Sequence, residues 1–243
     1  MPTGNLVRLP TSLSQGGNTL TNLRGIVQGL NTFDYITSGF YPTVTDIVQQ
    51  TSAFELGVGA WSSTIQYAYQ PTSDSNSNAN ITYPSIVVST TSATILFRVL
   101  AKSNAFTGAV FINGASSSPY SGFYVLYDTS NFQLFVEDVA NFGYSNFNLN
   151  SSAVIVNTWY NYAIQLIADS GKGLTTVDVW ENGIKQATQS INFAMQAPTG
   201  STRLFNNENS NQFFYGKITD FTLLNGTPLT DAQMSAFTNA PFV

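Results

Sequence analysis

Four segments decide the fold: Asn157-Thr-Trp-Tyr-Asn-Tyr-Ala-Ile-Gln-Leu166, Thr176-Val-Asp-Val-Trp-Glu-Asn-Gly-Ile-Lys185, Phe214-Tyr-Gly-Lys-Ile-Thr-Asp-Phe-Thr-Leu-Leu224 and Pro228-Leu-Thr-Asp-Ala-Gln-Met234. The first three alternate with period two, the spacing of a half-buried strand. In 160–168, Tyr162, Ile164, Leu166 and Ala168 share one face, and Asn161, Ala163 and Gln165 share the other. That alternation marks antiparallel sheet, because parallel strands are covered on both faces. Asn182-Gly183 predicts a tight hairpin, since this pair supplies the two φ > 0 residues of a type I′ turn. Asp169–Gly173 predicts a longer hairpin loop. Ile218 and Phe221 both belong inside although they are three apart, which requires a β-bulge near Thr219–Asp220. Thr230 and Gln233 form a Thr-x-x-Gln capping box, predicting one short helix. Asp231 sits at its positive end, and Met234 and Phe237 would pack down.

Outward from this stretch, the sequence predicts further strands at 86–89, 93–101, 109–113, 122–127, 133–137, 184–189 and 202–205. Many short strands at regular spacing mean a sandwich or barrel. Residues 31–70 are less regular, with strand candidates at 34–37 and 64–69 and a weaker piece at 44–50. Pro71 to Asn80 is a Ser-, Asn- and Asp-rich run without an apolar anchor, and predicts an exposed loop. Residues 1–30 are polar and Gly-dotted, and read as an N-terminal arm preceding a domain over 31–243.

The composition narrows the function classes. Only 9% of the 243 residues are charged, against roughly 25% in an average soluble domain. Asn, Ser, Thr and Gln must therefore solvate the surface. Net charge is −5, and the eight basic residues are scattered singly. No basic patch exists to neutralise phosphates, so no nucleic-acid partner is expected. No apolar run approaches the roughly 20 residues of a membrane span, so no membrane insertion is expected. Residues 1–30 show no charged segment followed by an apolar one, so synthesis without export is expected. The sequons at Asn80, Asn150 and Asn225 are expected by chance in so Asn- and Ser-rich a chain.

Histidine and cysteine are both absent. That removes His-centred triads and zinc sites built on nitrogen and sulfur. Paired carboxylates are the remaining enzymatic route. The four glutamates are Glu55, Glu137, Glu181 and Glu208. Glu137 and Asp138 are adjacent, and Asp178 and Glu181 three apart, so each pair points to opposite faces of a strand. Calcium needs several clustered oxygens, usually including carboxylates. Asp169 and Glu208 are the candidate ligands, but neither has a second acid at ligand spacing. No catalytic residue, metal site or cofactor is therefore expected. Pro119, Tyr120, Phe142, Tyr144 and Phe147 lie in turn-rich segments and are the candidate contacts for a glycan or a protein partner; the simpler reading tucks them over the edge of the core. Trp159 and Trp180 are expected in or near the core.

The ordered series Trp159, Asn182-Gly183, Gly216-x-Ile218-x-Asp220 and Leu229-Thr230-Asp231-x-Gln233 resembles the laminin G-like, or concanavalin A-like, family. Thr94–Val99 resembles its early core strand. The resemblance covers about 90–240. It implies an all-β, two-sheet antiparallel jelly-roll sandwich of six or seven strands per sheet, with a short C-terminal helix after the N-terminal arm. The glycan hydrolases of this family carry Glu-x-Asp-x-(x)-Glu on one strand, and no glutamate here begins that pattern. Fold alone does not set function. Three functions are open. The first is a non-enzymatic virion structural protein, a capsid decoration or fibre-type component of a bacteriophage. It would sit at the virion surface and act through contacts with other virion proteins and with itself. The second is a glycan-binding adhesin or receptor-binding module, and the third a glycoside hydrolase.

Overall fold

The structure, a computed structural model, describes residues 43–45, 47–50, 68–71, 79–83, 92–115, 121–138, 143–196, 202–206, 212–225 and 228–239. The predicted arm at 1–30 and the strand candidates at 34–37 and 86–89 lie outside these residues, as does most of the one at 64–69.

Fifteen strands and one helix form among the described residues. β1 (Thr43–Thr45), β2 (Ile47–Gln50), β3 (Ala68–Pro71) and β4 (Asn80–Tyr83) are short. β5 (Ser92–Ala101), β6 (Thr107–Ala115), β7 (Ser121–Asp128), β8 (Asn131–Asp138) and β9 (Gly143–Asn148) follow. Then come β10 (Trp159–Asp169), β11 (Leu174–Glu181), β12 (Ile184–Lys185), β13 (Gln189–Ile191), β14 (Thr202–Leu204) and β15 (Gly216–Asn225). The helix α1 spans Asp231–Asn239. One antiparallel sheet runs β1-β4-β14-β6-β7-β8-β9, and the other runs β12-β11-β10-β5-β15-β3-β2, with β13 also on β11. One sheet has the six or seven strands the resemblance implied and the other has one more, with β1 and β4 in the first and β2 and β3 in the second.

The local signals in the sequence take the expected form. Asn182 and Gly183 have φ of 48° and 90° and close the β11–β12 hairpin, where Glu181 pairs with Ile184. The β15 register against β5 slips between Thr219 and Thr222. That bulge puts both Ile218 and Phe221 in the core. The Thr230 N–H donates to Gln233 Oε1 at 2.9 Å, and the Gln233 N–H donates to Thr230 Oγ1 at 3.3 Å. Three expectations need correction. The predicted strand 184–189 breaks into β12 and the start of β13, because the register against β11 shifts by one residue between them: Trp180 pairs with Lys185, but Val177 pairs with Gln189 rather than Thr188. The run from Pro71 to Asn80 is not all loop, since its end residues close β3 and open β4. The segment holding Tyr144 and Phe147 is not a turn but strand β9.

Alternate residues of both sheets meet in one core. Ile95, Phe97 and Val99 of β5 and Tyr160, Tyr162 and Ile164 of β10 come from one side. Phe123, Val125 and Tyr127 of β7 and Phe132, Leu134 and Val136 of β8 come from the other. The outer face of the eight-stranded sheet is also buried: Leu96, Arg98, Leu100, Trp159 and Trp180 are at most 1% exposed. Helix α1 closes part of it. Asn161 Nδ2 donates to the Thr238 carbonyl at 2.8 Å and Gln165 Nε2 to the Leu229 carbonyl at 3.2 Å. Ser235 Oγ donates to the Gly183 carbonyl at 2.9 Å. Lys185 ties the hairpin to the helix through Asp231 at 3.1 Å and lies 4.7 Å from the Trp180 ring centre.

Candidate functional site

The outer face of the seven-stranded sheet is built differently. Alternation sends Phe123, Val125 and Tyr127 inward, so Tyr124 and Leu126 face out. On β8 it turns Gln133, Phe135 and Glu137 to that face, and on β9 Tyr144, Asn146 and Asn148. Register aligns Tyr124 with Phe135 and Phe135 with Asn146. Ala109, Ile112, Leu126 and Phe135 form a second apolar cluster, with Tyr124 packed against it.

Three rings cross the strands in series. Tyr124 stacks on Phe135 with centres 4.8 Å apart and planes 5° from parallel. Tyr144 follows at 5.3 Å from Phe135, tilted by 52°. Ile112 and Phe135 are buried, whereas Tyr144 is 61% exposed. The series therefore opens to solvent at β9. A row of amides runs from the open ring along the same face: Asn146 is two residues on, and Asn148, four residues on, accepts from Gln133 Nε2 at 2.9 Å. Ile155 and Ile184 are exposed to a similar degree, but an aliphatic side chain offers no ring face.

Glu137 lies on the same face, opposite Tyr144, and is buried. Burial raises its carboxyl above the usual range, and a hydrogen bond from the Tyr124 hydroxyl partly offsets this. The folded state therefore holds the proton more tightly than the unfolded chain. Its stabilising effect is full below the ordinary glutamate value and is lost as pH rises through the raised one. Above that, the ionised carboxylate is a constant cost. Glu137→Gln keeps an acceptor for Tyr124 and removes the cost. We expect its melting temperature at pH 7 to exceed that of the wild type by roughly 2–4 °C, about 1 kcal/mol. The difference should vanish toward pH 4; an equal shift at both pH values would sink this account of Glu137.

No described acid stands near Glu137 on this face. Asp128 is opposite Asn131, six residues along β8 from Glu137, or about 20 Å at the rise of a strand. Hydrolytic carboxylate pairs sit roughly 5–9.5 Å apart. Asp138 is turned to the other side of β8. Asp178 and Glu181 also point apart: Asp178 pairs with Lys185 at 3.3 Å, while Glu181 accepts from both the Ser151 N–H and hydroxyl at 2.9 Å. Glu181 thereby pins the 149–158 loop to the end of β11. Asp169, the calcium candidate, is engaged in its turn. It accepts the Lys172 N–H at 3.1 Å and pairs with its ammonium at 3.0 Å, which holds the carboxyl below the usual range. Among the described residues no three metal-ligating acids cluster. Asn150 of one sequon is buried, donates to Asn131 and Ser152, and accepts from the Phe132 N–H.

Of the two sequence candidates among the described residues, Tyr144 reaches this face and Phe147 does not. Phe147 points the other way and packs against the main core. Its parity with Tyr144 is odd, so one strand cannot present both to one ligand. Pro119, Tyr120 and Phe142 lie outside the described residues, as does Glu208. Sequence reasoning missed Tyr124 and Phe135, and weighed Glu137 only as half of a carboxylate pair. The signal was the unbroken run Phe123–Tyr127, too apolar for a strand with one wet face.

The fold and face together define a two-sheet antiparallel jelly roll of the lectin type. The Laminin G model of the concanavalin A-like lectin/glucanases superfamily matches residues 74–235, and the chain belongs to that superfamily. No curated protein matches the chain. Among solved structures it is similar to the binding domain of Paraclostridial Mosquitocidal Protein 1, at 16% identity and a TM-score of 0.59, over 83% of this chain and 47% of that one. It is also similar to the botulinum neurotoxin serotype G binding domain, at 15% and 0.57, with the same coverage. A third is the receptor-binding domain of the botulinum neurotoxin C/D mosaic serotype, at 13% and 0.55, again over 83% and 47%. The chain spans about half the length of these structures. Identities this low carry the fold alone.

Proposed function

We propose that the chain is a non-enzymatic binding module that recognises carbohydrate on the outer face of the seven-stranded sheet. One observation carries the reading: the exposed Tyr144 ring, backed by Phe135 and Tyr124, at the head of a row of amides formed by Asn146, Asn148 and Gln133. A flat ring offers its face to the apolar side of a sugar, and neighbouring amides take the hydroxyls. The receptor-binding role named for the botulinum C/D structure is consistent with it. The lack of a second described acid near Glu137 favours binding over hydrolysis. A glycan array should give a discrete set of positive saccharides, and Tyr144→Ala should lower affinity for them tenfold or more, about 1.4 kcal/mol, without lowering the melting temperature. Blank arrays across host polysaccharides would remove the carbohydrate reading.

A second reading sets the module in a virion, as a capsid decoration or fibre-type component of a bacteriophage acting through subunit contacts at the particle surface. Its support is compositional: 9% charged residues, no cysteine and no histidine. Blank arrays together with stable self-association would favour it.

A further inference from the structure

Among the described residues the seven-stranded sheet ends at β9, and the edge this leaves is unlike the others. The edges formed by β1, β2 and β12 are four residues or shorter, and β12 carries Lys185. β9 has six residues, Gly-Tyr-Ser-Asn-Phe-Asn, with no charge and no proline. Edge strands are ordinarily protected by charge, proline, bulges or shortness. Among the described residues β9 has none of these protections.

Backbone parity fixes what this edge presents. The Leu149 N–H donates to the Phe132 carbonyl at 2.7 Å, and these two residues continue the β8–β9 register. Antiparallel pairs alternate between bonded and non-bonded. Phe147, Ser145 and Gly143 therefore turn their N–H and C=O groups to β8. Tyr144, Asn146 and Asn148 turn theirs to the open edge.

We propose that a second copy of this chain occupies the edge, β9 against β9 in antiparallel pairing, with the two-fold axis through Asn146. Cross-strand partners must share a face, so the axis passes through a residue rather than between two. An axis at Asn146 pairs Asn146 with itself and Tyr144 with Asn148, using all three outward N–H and C=O sets. An axis at Ser145 strands the Asn148 set. The absence of charge on β9 lets two copies meet without repulsion despite a net charge of −5. The result is one continuous sheet with two copies of the seven strands. The inference does not depend on what the outer face binds.

The test uses the full chain. A strand pair buries little area, so the dimer should be weak and visible by sedimentation at about 100 μM protein. Asn146→Pro removes an outward N–H that no other described strand takes up, and Asn146→Lys puts two like charges on the axis. Both should be monomeric, with melting temperatures near the wild type. The chain has no cysteine, so Asn146→Cys gives a direct readout. Bonded antiparallel partners have Cα atoms about 5.5 Å apart, within the range a disulfide spans. Oxidation should cross-link this variant at least tenfold faster than Lys172→Cys, a site 74% exposed in the β10–β11 turn. A wild type that stays monomeric, a dimer that survives both Asn146→Pro and Asn146→Lys, or equal cross-linking at the two sites would overturn the proposal.

Discussion

Gly216→Ala should cost about 3 kcal/mol or more, and Gly216→Val should prevent folding. Gly216 opens β15, where it pairs with Ala101 of β5. A Cβ there would strike the Leu100 carbonyl and the Phe214 ring. Overpacking a core ordinarily costs about 1–3 kcal/mol, because side chains move aside. Here one obstacle is backbone inside a central sheet. The other is a ring wedged among Phe106, Tyr127, Phe132 and Phe205. The carbonyl cannot give way without disturbing the β5–β15 pairing, and the ring cannot without displacing its four aromatic neighbours. Urea unfolding of the alanine variant, with the m-value checked against the wild type, measures the effect. A loss below 1 kcal/mol would mean that the strand can shift to admit a methyl group, and that the close approach is not a requirement of the fold.

Phe132→Ala should cost about 3–5 kcal/mol, the range for deleting a buried ring. Phe132 is fully buried and meets four rings: Tyr127 at 5.0 Å, Tyr162 at 5.6 Å, Tyr160 at 6.1 Å and Phe214 at 6.2 Å. Two of these partners belong to β10 of the opposite sheet, so the ring joins the two sheets directly. Rigid aromatic neighbours collapse poorly into a void, which places the expected cost toward the upper end of the range. Phe132→Leu, which fills most of the space, should recover more than half of it. Equal losses in the two variants would show that volume is not what Phe132 contributes.

The parts legible in the sequence were those settled by local chemistry. Asn182-Gly183 specifies its turn, Thr230 and Gln233 cap each other, and the three-residue gap between Ile218 and Phe221 demands an extra residue in the strand. The alternation of 160–168 gives its faces without reference to any neighbour. β9 was not legible because an edge strand with a wet face needs few apolar residues. Its Gly, Ser and two Asn also make up the composition of a turn. The same ambiguity hid the site. Tyr144 was singled out as an aromatic, but pairing it with Phe147 joined residues on opposite faces. Tyr124, Phe135 and Glu137 come together only through the β7–β8–β9 register, which no single strand encodes. The piece at 44–50 was weak for a related reason: the three- and four-residue strands β1 and β2 carry too few alternations to be told from a loop.

The docking of α1 has a consequence for how this chain can diverge. Asn161 and Gln165 reach up from the sheet to main-chain carbonyls of Thr238 and Leu229, and the third bond runs from Ser235 to the Gly183 carbonyl. A carbonyl is present whatever side chain its residue carries. Substitution can therefore pass freely through Leu229 and Thr238 as far as these two bonds are concerned, while Asn161 and Gln165 cannot change without losing one. In a lineage of such chains, the record of these two bonds would be kept in the strand and erased from the segment they hold, while that of the third would be kept in the helix at Ser235.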